Sequence, residues 1–140
     1  MSEMDRPRRI GRSIGAVLAG LLAIIILSIG TDVALHATGV FPALGQPMAD
    51  ALFLLATVYR IVYSVAGCYI AARLAPDHPM GHALVLGVVG LAVSIVGAVV
   101  TWNRGLGPHW YPLALIAIAM PCAWVGGRLR GMQLRARADG

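Results

Sequence analysis

The sequence predicts an all-α integral membrane protein, a four-helix transmembrane bundle, and two observations carry this prediction. The 140-residue chain is 59% hydrophobic and only 12% charged, with a mean hydropathy of +0.79. A soluble domain typically has about 25% charged and 45–50% apolar residues. A disordered chain has a still lower apolar fraction than a soluble domain. The apolar residues also gather in four segments, each close to the ~20 residues that a helix needs to cross a bilayer.

One transmembrane domain is expected over residues 1–140, divided by glycines, prolines and charges. The predicted helices cover residues 13–31, 51–72, 83–102 and 111–127, and arginine-rich tails occupy residues 1–12 and 128–140. The first segment has 19 uncharged residues, longer than the ~7–15 apolar residues of a cleaved signal peptide, so a retained anchor is favoured. The links at residues 73–82 and 103–109 are short, so neighbouring helices must run antiparallel.

The arginines predict the orientation. All 11 cationic residues are arginines; nine fall on one side of the predicted bundle, Arg104 falls on the other, and Arg60 lies within a helix. Because positive charge concentrates in the cytoplasm, both termini are expected there. Together with the arginine-only usage, this predicts a bacterial inner-membrane protein whose tails contact an anionic cytoplasmic leaflet. Nothing resembles a nucleic-acid-binding motif, so nucleic acid is not an expected partner.

Arg60 is the most informative single residue, because it lies about 13 Å along the second predicted helix, close to the middle of the bilayer. A central arginine costs at least ~2.5–3.5 kcal/mol and needs a partner. No acid occurs within the four predicted segments, so backbone carbonyls near Ala117, freed by Pro121, are the expected partner. The alternative is an anion or lipid-headgroup site. The candidate binding residues share one helix face: Arg60, Thr57, Tyr63 and Ser64.

The third predicted helix carries a continuous stripe of small residues, spaced alternately by four and three positions. In lipid, small residues let helix backbones approach closely, so the stripe predicts a packing surface. Contact within the same bundle is the first interpretation, and a homodimer face is the second. The stripe consists of Ala83, Gly87, Gly90, Ser94, Gly97 and Thr101.

Other chemical patterns are weak. His78 and His82 are four positions apart beside Asp77, but two histidines in a turn suit cap and interface roles better than a metal site. Cys68 and Cys122 are single and form no CxxC pair, which favours small buried side chains over redox chemistry. There is no phosphate-binding loop, zinc-protease helix or GxSxG turn. We therefore expect no cofactor, no metal and no enzymatic activity.

Two known groups of small four-helix membrane proteins share only the size of this chain. Small multidrug transporters depend on a glutamate in the first helix, which residues 13–31 lack, and thiol-oxidising enzymes need paired cysteines. From the second helix onward, however, the chain resembles a group of uncharacterised small bacterial inner-membrane proteins. The stretches that carry this resemblance are residues 67–76, 79–83, 110–112 and 121–124. The resemblance implies topology and no particular activity.

The leading functional expectation is an accessory or structural membrane protein that acts by helix–helix association, with itself or with an unidentified membrane partner. The alternative is an oligomeric transporter or channel for a small molecule or an anion, with Arg60 in the permeation or binding site. The sequence names neither the substrate nor the partner.

The predicted orientation can be tested by cysteine-accessibility labelling in intact cells. Cysteines placed at either terminus should resist a membrane-impermeant maleimide until the cells are opened, whereas cysteines in the predicted outer loops, residues 32–49 and 103–109, should react at once. Immediate labelling of a terminus would contradict the assignment.

Overall fold

The structure, a computed structural model, describes residues 5–43, 46, 48–105 and 107–139, with side chains from residue 8 onward. This part of the chain contains four α-helices and no strand. All four helices are long and apolar enough to span a membrane, so the all-α class and a multi-pass membrane protein are confirmed. The helices are α1 (Asp5–Ala37), α2 (Asp50–Leu74), α3 (Pro79–Thr101) and α4 (Trp110–Asp139).

The helices extend beyond the predicted apolar segments. α1 begins within the predicted N-terminal tail and continues past Thr31 to Ala37, and α4 continues through the predicted C-terminal tail to Asp139. The prediction used charges as boundaries, but a charge limits the part of a helix that suits lipid and does not end the helix. Arginine is itself a good helix former, so a helix that leaves the bilayer can continue in water.

Pro79 occupies the first turn of α3, where a missing backbone N–H is tolerated. The preceding His78 has a left-handed backbone with φ of 43° and makes no side-chain cap bond. At the end of α2, the Ala75 N–H bonds to the Ala71 carbonyl at 3.1 Å. The α2–α3 link is therefore only a few residues long and holds these two helices antiparallel.

α2 contacts all three other helices; α4 packs against α2 and α3, and α1 packs mainly against α2 and more lightly against α3. We call the half of the bundle that contains both termini the proximal half, and the half at the 38–49 and 102–109 links the distal half. The buried core cluster lies in the proximal half and consists of small residues and one leucine. Its members are Cys68, Ala71, Ala72, Ala83, Leu86 and Ala123.

Glycines bring the helices close together in the proximal half. A Cβ atom added to Gly67 of α2 would lie 2.7 Å from the Gly20 carbonyl oxygen of α1. A Cβ atom on Gly126 of α4 would lie 2.8 Å from the Val65 carbonyl oxygen of α2. Ile24 and Cys68 side chains also pack against these two glycines, so the helices of the proximal half approach each other closely where a side chain is missing.

The small-residue stripe of α3 divides between the two halves. Ala83 is fully buried, and a Cβ atom added to Gly87 would meet Met120 Sδ of α4 at 3.3 Å. Gly90 and Gly97, farther along the stripe, have open space where a Cβ atom would lie. The proximal part of the stripe thus packs within the bundle, whereas a homodimer through this face stays a prediction.

Enlarging Gly67 should destabilise the bundle. Gly67→Leu must push α1 and α2 apart, and we expect it to lower the free energy of unfolding by about 1–3 kcal/mol. The matched control is Gly15→Leu, because nothing lies within 4 Å of a Cβ atom on Gly15. Unfolding of both variants in detergent micelles, followed by circular dichroism, checks this; equal stability would contradict the packing.

Candidate functional site

An ion pair joins α1 and α2 in the distal half. The Arg60 Nη2 donates to the Asp32 Oδ2 at 2.7 Å, and each side chain is 30% exposed. The Tyr59 hydroxyl donates to the other carboxylate oxygen of Asp32. One carboxylate of α1 thus accepts hydrogen bonds from two successive residues of α2.

The expectation that Arg60 lacks an acidic partner and bonds to carbonyls near Ala117 was wrong. Because α1 continues beyond Thr31, Asp32 lies inside the bundle instead of in a loop. Ala117, in contrast, lies on an exposed face of α4. A carboxylate also offsets the cost of an arginine in lipid better than a carbonyl does, since it supplies an opposite charge as well as an acceptor.

The other predicted binding residues have different surroundings. The Tyr63 hydroxyl lies 2.7 Å from the Thr31 Oγ1, which forms a second polar contact between α1 and α2. The Thr57 hydroxyl is buried and donates to the Phe53 carbonyl of its own helix at 2.9 Å. Ser64 faces a cavity that Arg60 also borders. Ser64 therefore lies beside Arg60 at the same cavity. The Thr57 hydroxyl is used within its own helix, and the Tyr63 hydroxyl links α2 to α1.

Arg60 borders three cavities, two in the distal half and one that reaches from the distal half to Cys68 and Leu86 of the proximal core. The lateral cavity, about 360 Å³, lies between α1 and α3 with α2 and α4 behind it. The distal cavity, about 390 Å³, lies among α2, α3 and α4 and reaches Thr101 and Tyr111. The link cavity, about 230 Å³, lies beneath residues 41–43, 46 and 48 and reaches Asp32.

The link between α1 and α2 covers the ion pair. Phe41 is only 4% exposed and packs edge-on against His36, with ring centroids 5.3 Å apart. The His36 ring nitrogen bonds to the Asp32 backbone carbonyl at 2.7 Å. Phe41 and Pro42 of the link therefore border the same cavity as Asp32.

The guanidinium of Arg60 has more donors than the protein uses. Arginine carries five N–H donors and no acceptor. Among the described residues, Arg60 donates to Asp32, and its Nε is buried with no hydrogen-bond partner. Tyr111 lies beside the same guanidinium and borders two of the three cavities. The carboxylate of Asp32, in contrast, accepts bonds from both Tyr59 and Arg60. The unused capacity lies on the donor side, so the site suits a molecule that carries hydrogen-bond acceptors.

His78 and His82 lie apart from this site, whereas Cys68 borders the lateral cavity. The His82 ring nitrogen contacts the His78 carbonyl at 3.0 Å, one turn earlier in the chain. Cys68 and Cys122 are free and buried, and the Cys122 thiol lies 3.9 Å from the Ile61 carbonyl oxygen. In the described ranges, no three His, Cys, Asp or Glu side chains come together in a group that could hold a metal ion.

Sequence reasoning missed Asp32 and Tyr59. Asp32 immediately follows the apolar segment, which made it look like the start of a loop. The signal that could have found it is the coincidence of one acid near the end of the first segment and one arginine inside the second, joined by a link short enough to keep the two helices adjacent.

Removing one member of the ion pair should cost more than removing both. Asp32→Leu leaves an unpaired arginine, and we expect a loss of about 3 kcal/mol, the low end for buried pairs because these side chains keep some exposure. The double variant Asp32→Leu/Arg60→Met should stay within about 1 kcal/mol of the natural protein. Denaturant titration in micelles checks both values, and additive losses in the double variant would contradict the pairing.

No protein-family model, no curated protein and no solved structure matches this chain. The function is therefore argued from the geometry of Arg60, Asp32 and the cavities around them.

Proposed function

We propose that this protein binds a small molecule within the membrane, in the distal half of the bundle, and that Arg60 is the residue that holds it. The observation that carries the proposal is that Arg60, whose side chain is 30% exposed and donates to Asp32 through Nη2, borders all three cavities. Two of these cavities have volumes within the ~300–1,000 Å³ range of small-molecule sites. Polar groups placed in a mostly apolar cavity are the usual basis of ligand orientation.

The charge balance supports a small molecule over an anion-selective pore. Asp32 already neutralises Arg60 at 2.7 Å, so the site has no excess positive charge to attract an anion. The close approach of α1 and α2 at Gly20 and Gly67 in the proximal half is a second observation that argues against an open pore through this chain. These observations favour the small-molecule form of the alternative drawn from the sequence, and the anion-selective form stays a prediction.

The proposed setting is a bacterial inner membrane with both termini in the cytoplasm. Nine arginines at the proximal end, compared with Arg104 at the distal end, support this orientation. In this orientation the distal cavity and the link cavity lie toward the outer leaflet, on the side away from the cytoplasm.

A second candidate is the accessory role by helix–helix association. Gly97 favours it, because it is exposed on α3 and has open space in place of a side-chain neighbour. Helix pairs in lipid use such positions for close approach. Under this candidate, Gly97→Leu should weaken self-association or partner recovery.

The binding function can be tested with protein extracted in native lipid particles. Gly90→Leu places a side chain in the open space of the lateral cavity, and it should deplete at least one co-extracted small molecule about tenfold, as for the loss of a ligand's main contacts. The measurement is mass spectrometry of the solvent-extracted particles.

Gly30→Leu is the matched control. Gly30 also has nothing within 4 Å of an added Cβ atom, lies in the distal half of α1 and is exposed outside the cavities. Its particles should match those of the natural protein. Identical small-molecule content in all three proteins would overturn the binding function.

A further inference from the structure

We propose that the ligand is an uncharged amphiphile: its carbonyl oxygen accepts from Arg60, and its hydrocarbon chain lies in the lateral cavity between α1 and α3. This inference rests on the proposed function and adds the chemical class of the ligand and the direction from which it arrives. Three observations carry it: the lining of the cavity, the balance of charge and the separation of α1 from α3.

The lining of the lateral cavity has one polar end. Arg60 and the hydroxyls of Ser28, Ser64 and Ser94 are its polar groups, and the other side chains are apolar or small. Aliphatic side chains from α1 and α4 form most of the wall. A ligand that fills this space therefore needs a polar group for the arginine and an apolar remainder for the wall.

The charge count indicates that the polar group is neutral. Arg60 and Asp32 are the charged side chains that the three cavities share or reach, and together they have no net charge. An anion would leave one uncompensated negative charge in a region of low dielectric, which is costly. A carbonyl or ester oxygen satisfies the free N–H groups of Arg60 without adding charge.

The separation of α1 and α3 provides a route from the lipid. The two helices meet in the proximal half, where a Cβ atom on Gly20 would lie 2.7 Å from the Leu86 side chain. In the distal half the lateral cavity lies between them, and its rim is exposed: Ile25 by 41%, Ile29 by 57% and Val93 by 63%. In a bilayer these side chains face acyl chains, so a hydrocarbon chain can slide in sideways.

The test uses a methyl decanoate analogue with a photoactivatable diazirine in its chain, added to protein in nanodiscs. Crosslinks should map to the rim residues of α1 and α3. Unlabelled methyl decanoate should compete at least about tenfold better than decane, which lacks the acceptor, and better than decanoate, which is charged. Methyl butyrate, which lacks the chain, should compete weakly.

Variants separate the site from general lipid contact. Gly90→Leu should reduce the crosslinks about tenfold, and Gly30→Leu should not. The double variant Asp32→Leu/Arg60→Met removes the donors without leaving a lone charge, so it should stay folded and abolish the advantage of methyl decanoate over decane.

Each outcome bears on one of the two proposals. If decanoate or methyl butyrate competes best and depends on Arg60, the amphiphile class is wrong and the binding function stands. If decane equals methyl decanoate, Arg60 does not recognise the head group and the inference fails. If no compound shows a dependence on Gly90 or Arg60, both proposals fail.

Discussion

The ion pair between Asp32 and Arg60 is the constraint on which the distal half depends. A lone arginine or a lone aspartate at this depth would be costly, so each residue requires the other. Because Asp32 is on α1 and Arg60 is on α2, the requirement fixes the register of these two helices. The bond between Thr31 and Tyr63, at 2.7 Å, reinforces the same register.

The two halves of the bundle are held together by different means. The proximal half relies on close backbone approach at glycines and on a core of small side chains. The distal half contains the polar contacts between α1 and α2, and Arg60 borders three cavities there. Such a bundle combines a closely packed proximal half with a distal half that contains cavities, and this arrangement suits the binding of a small molecule.

Much of the fold could be predicted from the sequence, because four apolar stretches of the correct length leave lipid-spanning helices as the only choice. The site was predicted only in part. Arg60 is evident from its charge, but its partner is not, since Asp32 sits at a boundary that hydropathy places in water. Whether a charge at such a boundary faces lipid, water or another helix depends on where the helix ends, which three-dimensional packing decides.

The length of α4 has a consequence for how the molecule sits in a bilayer. Its 30 residues amount to about 45 Å, roughly 15 Å more than the hydrocarbon thickness. The surplus is rich in arginine, with Arg128 stacked on Trp124 at 5.1 Å and Tyr69 bonded to Gln133 at 2.6 Å. Because charged arginines are costly in hydrocarbon, this arginine-rich end of α4 stays at the membrane surface. With this end of α4 fixed at the proximal membrane surface, a thicker or thinner membrane would change the distance between Arg60 and the opposite surface.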